Sequence, residues 1–214
     1  MLARVGLLLA LATASIHAQS VHDLADAIDQ HYNKLHTLEA QFSEIYRGGG
    51  VSRDESGTLW LKRPGKMRWE YRQPQDKLFI SNGKVAWFYV PDERQARRSS
   101  VKNLDDMRSP LAYLLGKTKL EKEFTGLSLA PDAKPLTPGD TMLRGVPKFM
   151  EQVEDVLLEV TPEHNICRIV VEGADGSTTE YRFSEQKENT AIADQKFEFS
   201  APPGVEVIEA NLGG

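Results

Sequence analysis

The stretch from Gly57 to Tyr89, GTLWLKRPGKMRWEYRQPQDKLFISNGKVAWFY, constrains the fold of this chain more than any other. It holds all three tryptophans, Trp60, Trp69 and Trp87. It also carries two turn signals, Pro64-Gly65 and Asn82-Gly83, each flanked by β-type residues. A two-residue or four-residue loop at Pro64-Gly65 pairs Lys62 with Met67, Trp60 with Trp69 and Thr58 with Tyr71. One face then reads Thr58, Trp60, Lys62, Met67, Trp69 and Tyr71; the other reads Leu59, Leu61, Arg63, Lys66, Arg68 and Glu70. Around Asn82-Gly83 the pairs are Ile80 with Val85, Leu78 with Trp87 and Phe79 with Ala86, so both faces of that hairpin are apolar. A sheet with one side in water alternates apolar and polar residues. The second face here therefore needs a cover.

LWLKRPGKMRWEY, then SNGKVAWFY and a late KFEFSAPPGVEV, resemble the LolA family, periplasmic carriers of outer-membrane lipoproteins. The resemblance runs in order from about Val21 to Glu209. It implies an unclosed barrel whose concave apolar face is capped by helices. It further implies acylated lipoproteins as cargo, loading by an inner-membrane lipoprotein-releasing ABC transporter, an outer-membrane acceptor of LolB type, and a monomer with no cofactor. By spacing alone Arg63 is a solvated turn arginine beside Lys62 and Lys66. The resemblance makes it the arginine that hydrogen-bonds backbone carbonyls of the lid helices and latches them. Met67 matches a position that is often aromatic and acts in transfer to or from membrane partners.

Residues 1–18 combine Arg4, an apolar run from Val5 to Ala12 and a small residue at Ala18. The run is far short of the roughly 20 residues that span a bilayer, which makes it a cleaved signal peptide. One exported domain over residues 19–210 and a fraying tail at 211–214 follow. Losing Arg4 changes the formal charge from −5 to −6, and no basic stripe appears, which argues against nucleic acid. Hydrophobic residues make up 40% of the chain, enough for a core. Cys167 is the only cysteine, so no internal disulfide forms, and it reads as a small apolar strand residue.

Val21, Leu24, Ala25, Ile28, Tyr32 and Leu35 recur at helical spacing, predicting a first helix that lies on the sheet. Thr37–Tyr46 alternates as a first strand, with residues 48–50 and 54–56 as a loose loop. Gln95–Val101 reads as a polar strand near an edge. Ser109-Pro110 starts a short helix that Gly116 ends. Its Leu111, Ala112, Tyr113, Leu114 and Leu115 are apolar all round, fitting either a buried core helix or, as the resemblance implies, a lid. Leu120–Phe124 and Leu127–Ala130 read as strands, and 131–147 as one long connection of the kind that is functional or mobile. Strands follow over 153–161, 166–171, 178–184, 197–199 and 205–208. The fold class is mainly β, an α+β arrangement with a large, curved, unclosed antiparallel sheet and few helices.

His22, His31, His36 and His164 have no metal-ligand spacing. No nucleophile elbow or phosphate loop occurs, so the expectation is a non-enzyme with a binding cavity and no metal. Candidate lining is Trp60, Met67, Trp69, Leu78, Trp87 and Tyr89 with Leu111, Tyr113, Leu114 and Leu115. The alternative function is a periplasmic signalling domain of the same half-barrel type that senses lipid or misfolded protein.

Overall fold

The structure, a computed structural model, describes residues 20–100, 119–148 and 150–209. The expected leader, the short helix with Leu111, Tyr113, Leu114 and Leu115, and the tail lie outside the described residues. Helix α1 (Val21–Lys34) starts where the Ser20 hydroxyl accepts the backbone N–H of Asp23, which satisfies one of the first-turn donors. It buries Leu24, Ala25, Ile28 and Tyr32, the stripe legible in the spacing.

The strands are β1 (Thr37–Gly48), β2 (Val51–Lys62), β3 (Lys66–Gln73), β4 (Lys77–Asn82), β5 (Val85–Val90) and β6 (Gln95–Ser100). After a single helical turn, α2 (Leu120–Glu123), come β7 (Phe124–Leu129), β8 (Thr141–Pro147), β9 (Val153–Val160), β10 (Ile166–Gly173), β11 (Thr178–Glu188) and β12 (Glu206–Glu209). All twelve form one sheet in the order β12-β6-β5-β4-β3-β2-β1-β11-β10-β9-β8-β7, whose ends do not meet. Neighbours are antiparallel except β12, which runs parallel to β6. On a flat sheet β3 and β11, separated by β2 and β1, would lie about 14 Å apart, three spacings of roughly 4.8 Å. Yet the Trp69 ring meets those of Tyr181 and Phe183 at 6.4 Å, so the sheet curls toward that side. Helix α1 occupies the concavity, packed with Leu38, Phe42, Leu59 and Leu158 in the main core.

Several local expectations are corrected. The β1–β2 connection is only Gly49-Gly50, both at positive φ, and residues 51–56 continue as strand. Their polar letters hid a hairpin whose two glycines suit a tight primed turn. Leu120–Glu123 is helical because the Asp29 carboxylate of α1 accepts the Leu120 N–H at 3.1 Å and fixes the start of the turn. Of the 131–147 connection, residues 141–147 are β8, bonded to both β7 and β9. The remainder crosses the outer face, where Leu136 and Thr137 N–H groups bond the fully buried Glu159 carboxylate at 2.7 and 3.2 Å. Asp194–Phe197 is a 3-10 turn and no strand forms over 197–199, because Phe197 and Phe199 fill space on the sheet instead of pairing along an edge.

That last segment supplies the cover the second hairpin requires. It straps the convex face of β2–β5. The Lys62 ammonium donates to the Ile192 carbonyl, Lys62 and Lys66 pair with Asp194 at 2.7 and 2.9 Å, and Arg68 donates to the Lys196 carbonyl. The two lysines hold the Asp194 carboxyl down at about 2.

Candidate functional site

The concave face is built by alternation. Leu38, Ala40 and Phe42 of β1 lie opposite Leu61, Leu59 and Gly57 of β2; Leu61 and Leu59 lie opposite Met67 and Trp69 of β3. Trp69 in turn lies opposite Phe79 of β4, and Phe79 opposite Phe88 of β5. Aromatic rings meet edge to face, Phe42 with Trp69 at 4.6 Å and with Tyr71 at 5.0 Å, a favoured geometry for paired rings.

This register corrects the sequence reading. The loop after β2 has three residues, Arg63, Pro64 and Gly65, with Lys62 opposite Lys66. An odd loop inverts the pairing parity, and a one-residue slip sends every side chain to the other face. Met67 and Trp69 are therefore concave, but Trp60 is convex, where its indole N–H donates to Glu39 at 2.9 Å and the Lys196 ammonium lies 3.5 Å over its ring. The Asn82-Gly83 hairpin is shifted by two residues, with Ile80 opposite Trp87 and Leu78 opposite Tyr89, which preserves its faces. Leu78, Trp87 and Tyr89 are convex too. Trp87 and Tyr89 stack against Phe199 of the strap at 5.4 and 5.3 Å. The concave aromatics that sequence reasoning omitted include Phe42, Tyr71, Phe79 and Phe88, with Tyr181 and Phe183 of β11. For Phe79 and Phe88 the signal was the odd loop, which joins them to Trp69 and not to Trp60.

At the rim the β2–β3 turn reaches α1. Arg63 donates from Nη2 to the Tyr32 carbonyl at 2.6 Å and from Nη1 to the Asn33 carbonyl at 3.0 Å. These are last-turn carbonyls of the helix, the Tyr32 one also accepting the Leu35 N–H at 3.2 Å, and a cation there meets the negative end of the helix dipole. Burial pulls the Arg63 pKa down, but a guanidinium starts so high that it stays charged. A small hollow between Leu35, Leu38, Leu61 and Arg63 marks the seam. Further polar ties hold α1: the Tyr32 hydroxyl accepts the Ile166 N–H at 2.8 Å, and His31 bonds Glu188 at 2.8 Å. The helix is thus seated by a few polar contacts over an apolar surface that it fills with its own side chains.

The opposite end of the concave wall is ionic. Glu44 and Glu55 face each other across β1 and β2 and are both buried. Tyr71 donates to Glu44 at 2.9 Å, Lys77 pairs with Glu55, and Arg53 lies 3.3 Å from Glu55. Burial pushes the Glu44 and Tyr71 pKa values up; the hydrogen bond between them opposes that shift for Glu44 and, with the Glu44 charge, adds to it for Tyr71. On the convex side Asp140, Glu159 and Cys167 place ligand-type atoms within 4.8 Å of one another. Glu159 is already committed to two backbone N–H groups and Arg168, and burial pushes the Cys167 thiol up to about 12, so it is not the thiolate a metal would take.

The family model described as outer membrane lipoprotein carrier protein LolA matches residues 33–200. An outer-membrane lipoprotein carrier protein of Nitrosospira multiformis is 30% identical over 203 residues, 92% of each chain. One from Nitrosomonas europaea is 31% identical over 182 residues, covering 82% of this chain and 84% of that one. The fold is shared with an uncharacterized conserved protein from Thermus thermophilus, with a TM-score of 0.58 at 12% identity over 88% of this chain and 98% of that one. With its curved open sheet, its helix on the concave face and this match over most of its length, the chain belongs to the LolA family of outer-membrane lipoprotein carrier proteins.

Proposed function

We infer that the chain is a periplasmic carrier that takes up the acyl chains of lipoproteins on its concave face and delivers them to the outer membrane. The observation that carries this reading is α1 itself: an amphipathic helix whose apolar face fills an aromatic concavity, held by the Arg63 bonds to two carbonyls. Such a lid can give way to a competing apolar ligand. Each buried methylene is worth about 0.8 kcal/mol, so a chain of about 14 is worth roughly 11 kcal/mol gross. The bilayer offers the same burial, so an inner-membrane lipoprotein-releasing ABC transporter must drive loading. Delivery runs downhill to an outer-membrane acceptor, because closure of α1 opposes cargo binding by its own free energy. No described helix is long and apolar enough to cross a membrane.

The test is binding of a triacylated lipoprotein against the same polypeptide without its lipid. The acylated form is expected to bind and the lipid-free form to be ignored. Equal binding of both would favour a peptide sensor over a carrier.

A further inference from the structure

We propose that the ionic cluster Glu44, Glu55, Arg53, Lys77 and Tyr71 is the end-stop of the acyl site, setting the longest chain that the concave wall accepts. This rests on the carrier reading above. From Leu38 at the rim to Phe42, the last apolar residue on this face before Glu44, β1 runs four residues, roughly 13 Å at about 3.3 Å each. One leaflet of a bilayer's hydrocarbon, half of about 30 Å, is roughly 15 Å deep. The apolar strip therefore matches one extended acyl chain of membrane length, and ends where charge begins.

Tyr71 marks the border. Its ring packs edge-on against Phe42 at 5.0 Å, while its hydroxyl is spent on Glu44 and the Lys77 ammonium lies 4.3 Å over its ring. The cluster contains two carboxylates and two cations, so it is neutral as a unit. A methyl terminus pushed into it would strip ion pairs of their partners and give nothing back, a steep cost for one more methylene. Stability alone is a poor reason for such a cluster, since buried ion pairs are often matched or bettered by apolar residues of similar volume. Arg53, half exposed, closes the cluster toward water, so the wall does not simply run out into solvent.

The test uses synthetic peptides carrying one saturated N-acyl chain of stepped length. For the natural protein, affinity is expected to rise about fourfold per methylene and then reach a plateau. The double variant Glu55→Leu/Lys77→Met removes one anion and one cation, leaving Glu44 with Tyr71 and Arg53. Its plateau is expected at chains at least two methylenes longer, giving about a 15-fold advantage for the longest peptides. A plateau at the same length in both proteins overturns the end-stop and leaves the carrier reading intact; no acyl binding at any length overturns both. A second measurement needs no variant: a spin label at the chain terminus of a plateau-length peptide is expected to broaden the NMR signals of Glu44, Tyr71 and Lys77. Broadening at Leu38 and Leu61 instead overturns the proposal, even if the double variant fails to fold.

Discussion

Replacing Arg63 with leucine is expected to leave the sheet folded, to tighten binding of acylated peptide by about a hundredfold, and to slow handover to outer-membrane acceptor by a similar factor. Among the described residues the guanidinium makes two charge-assisted bonds, to the Tyr32 and Asn33 carbonyls at 2.6 and 3.0 Å. Such bonds contribute about 1.5–3 kcal/mol each. Arg63 is partly in water, so the lower end applies, about 3 kcal/mol for the pair and a little over a hundredfold in the closing equilibrium. Closed α1 and cargo compete for one surface, so a weaker closed state is a tighter binder and a poorer donor. The leucine faces carbonyls that water can still reach at the rim, hence little cost to the sheet. Arg63→Lys, a point charge without the fork, should fall between the two. Titration with a fluorescent lipopeptide and timed transfer of labelled lipoprotein check this. Unchanged affinity and transfer, or a collapse of the thermal melt, would remove Arg63 as the latch.

The second large effect is structural. Gly57 lies opposite Phe42 on β1, at the point where the β2–β3 ladder slips between Ser56 and Gly57. A Cβ there would lie 1.8 Å from the Glu70 carbonyl oxygen and 2.9 Å from the Tyr71 Cα. Both are backbone, so no rotamer change relieves the clash; β3 would have to move away, taking Trp69 and Tyr71 with it. Gly57→Val is expected to cost about 5 kcal/mol or more, in the range where a single change rivals the whole stability of a domain. Urea unfolding should show either no cooperative transition or a midpoint far below the parent. An unfolding free energy within about 1 kcal/mol of the parent would mean that the close approach of β2 and β3 is wrong.

What could be read from the sequence follows from which signals are local. Helix α1 was legible because its apolar stripe lies within one segment. The curved open sheet was legible from strand spacing and from the resemblance, and the need for a second cover from the two apolar faces of one hairpin. The site was less legible because faces depend on loop parity. Pro64-Gly65 announces a turn but does not say that Arg63 belongs to it, and that one residue moved Trp60 out of the cavity. Glu44 is an acidic letter in a predicted strand and Glu55 one in a predicted loop; only the pairing of β1, β2, β3 and β4 brings them to Tyr71 and Lys77. Likewise Leu120–Glu123 turns helical through Asp29, a partner 91 positions away.

The three tryptophans allow the most direct test of acyl binding on the concave face, because Trp69 lies on that face while Trp60 and Trp87 lie on the convex one. Bromine on an acyl chain quenches indole fluorescence at contact distance. A protein keeping only Trp69, Trp60→Phe/Trp87→Phe, is compared with one keeping only the convex pair, Trp69→Phe, each titrated with a lipopeptide bearing mid-chain bromines. Strong quenching of Trp69 and little of the convex pair is expected. Quenching of the convex pair with Trp69 unaffected would place the acyl chains on the other side of the sheet and contradict the carrier mechanism.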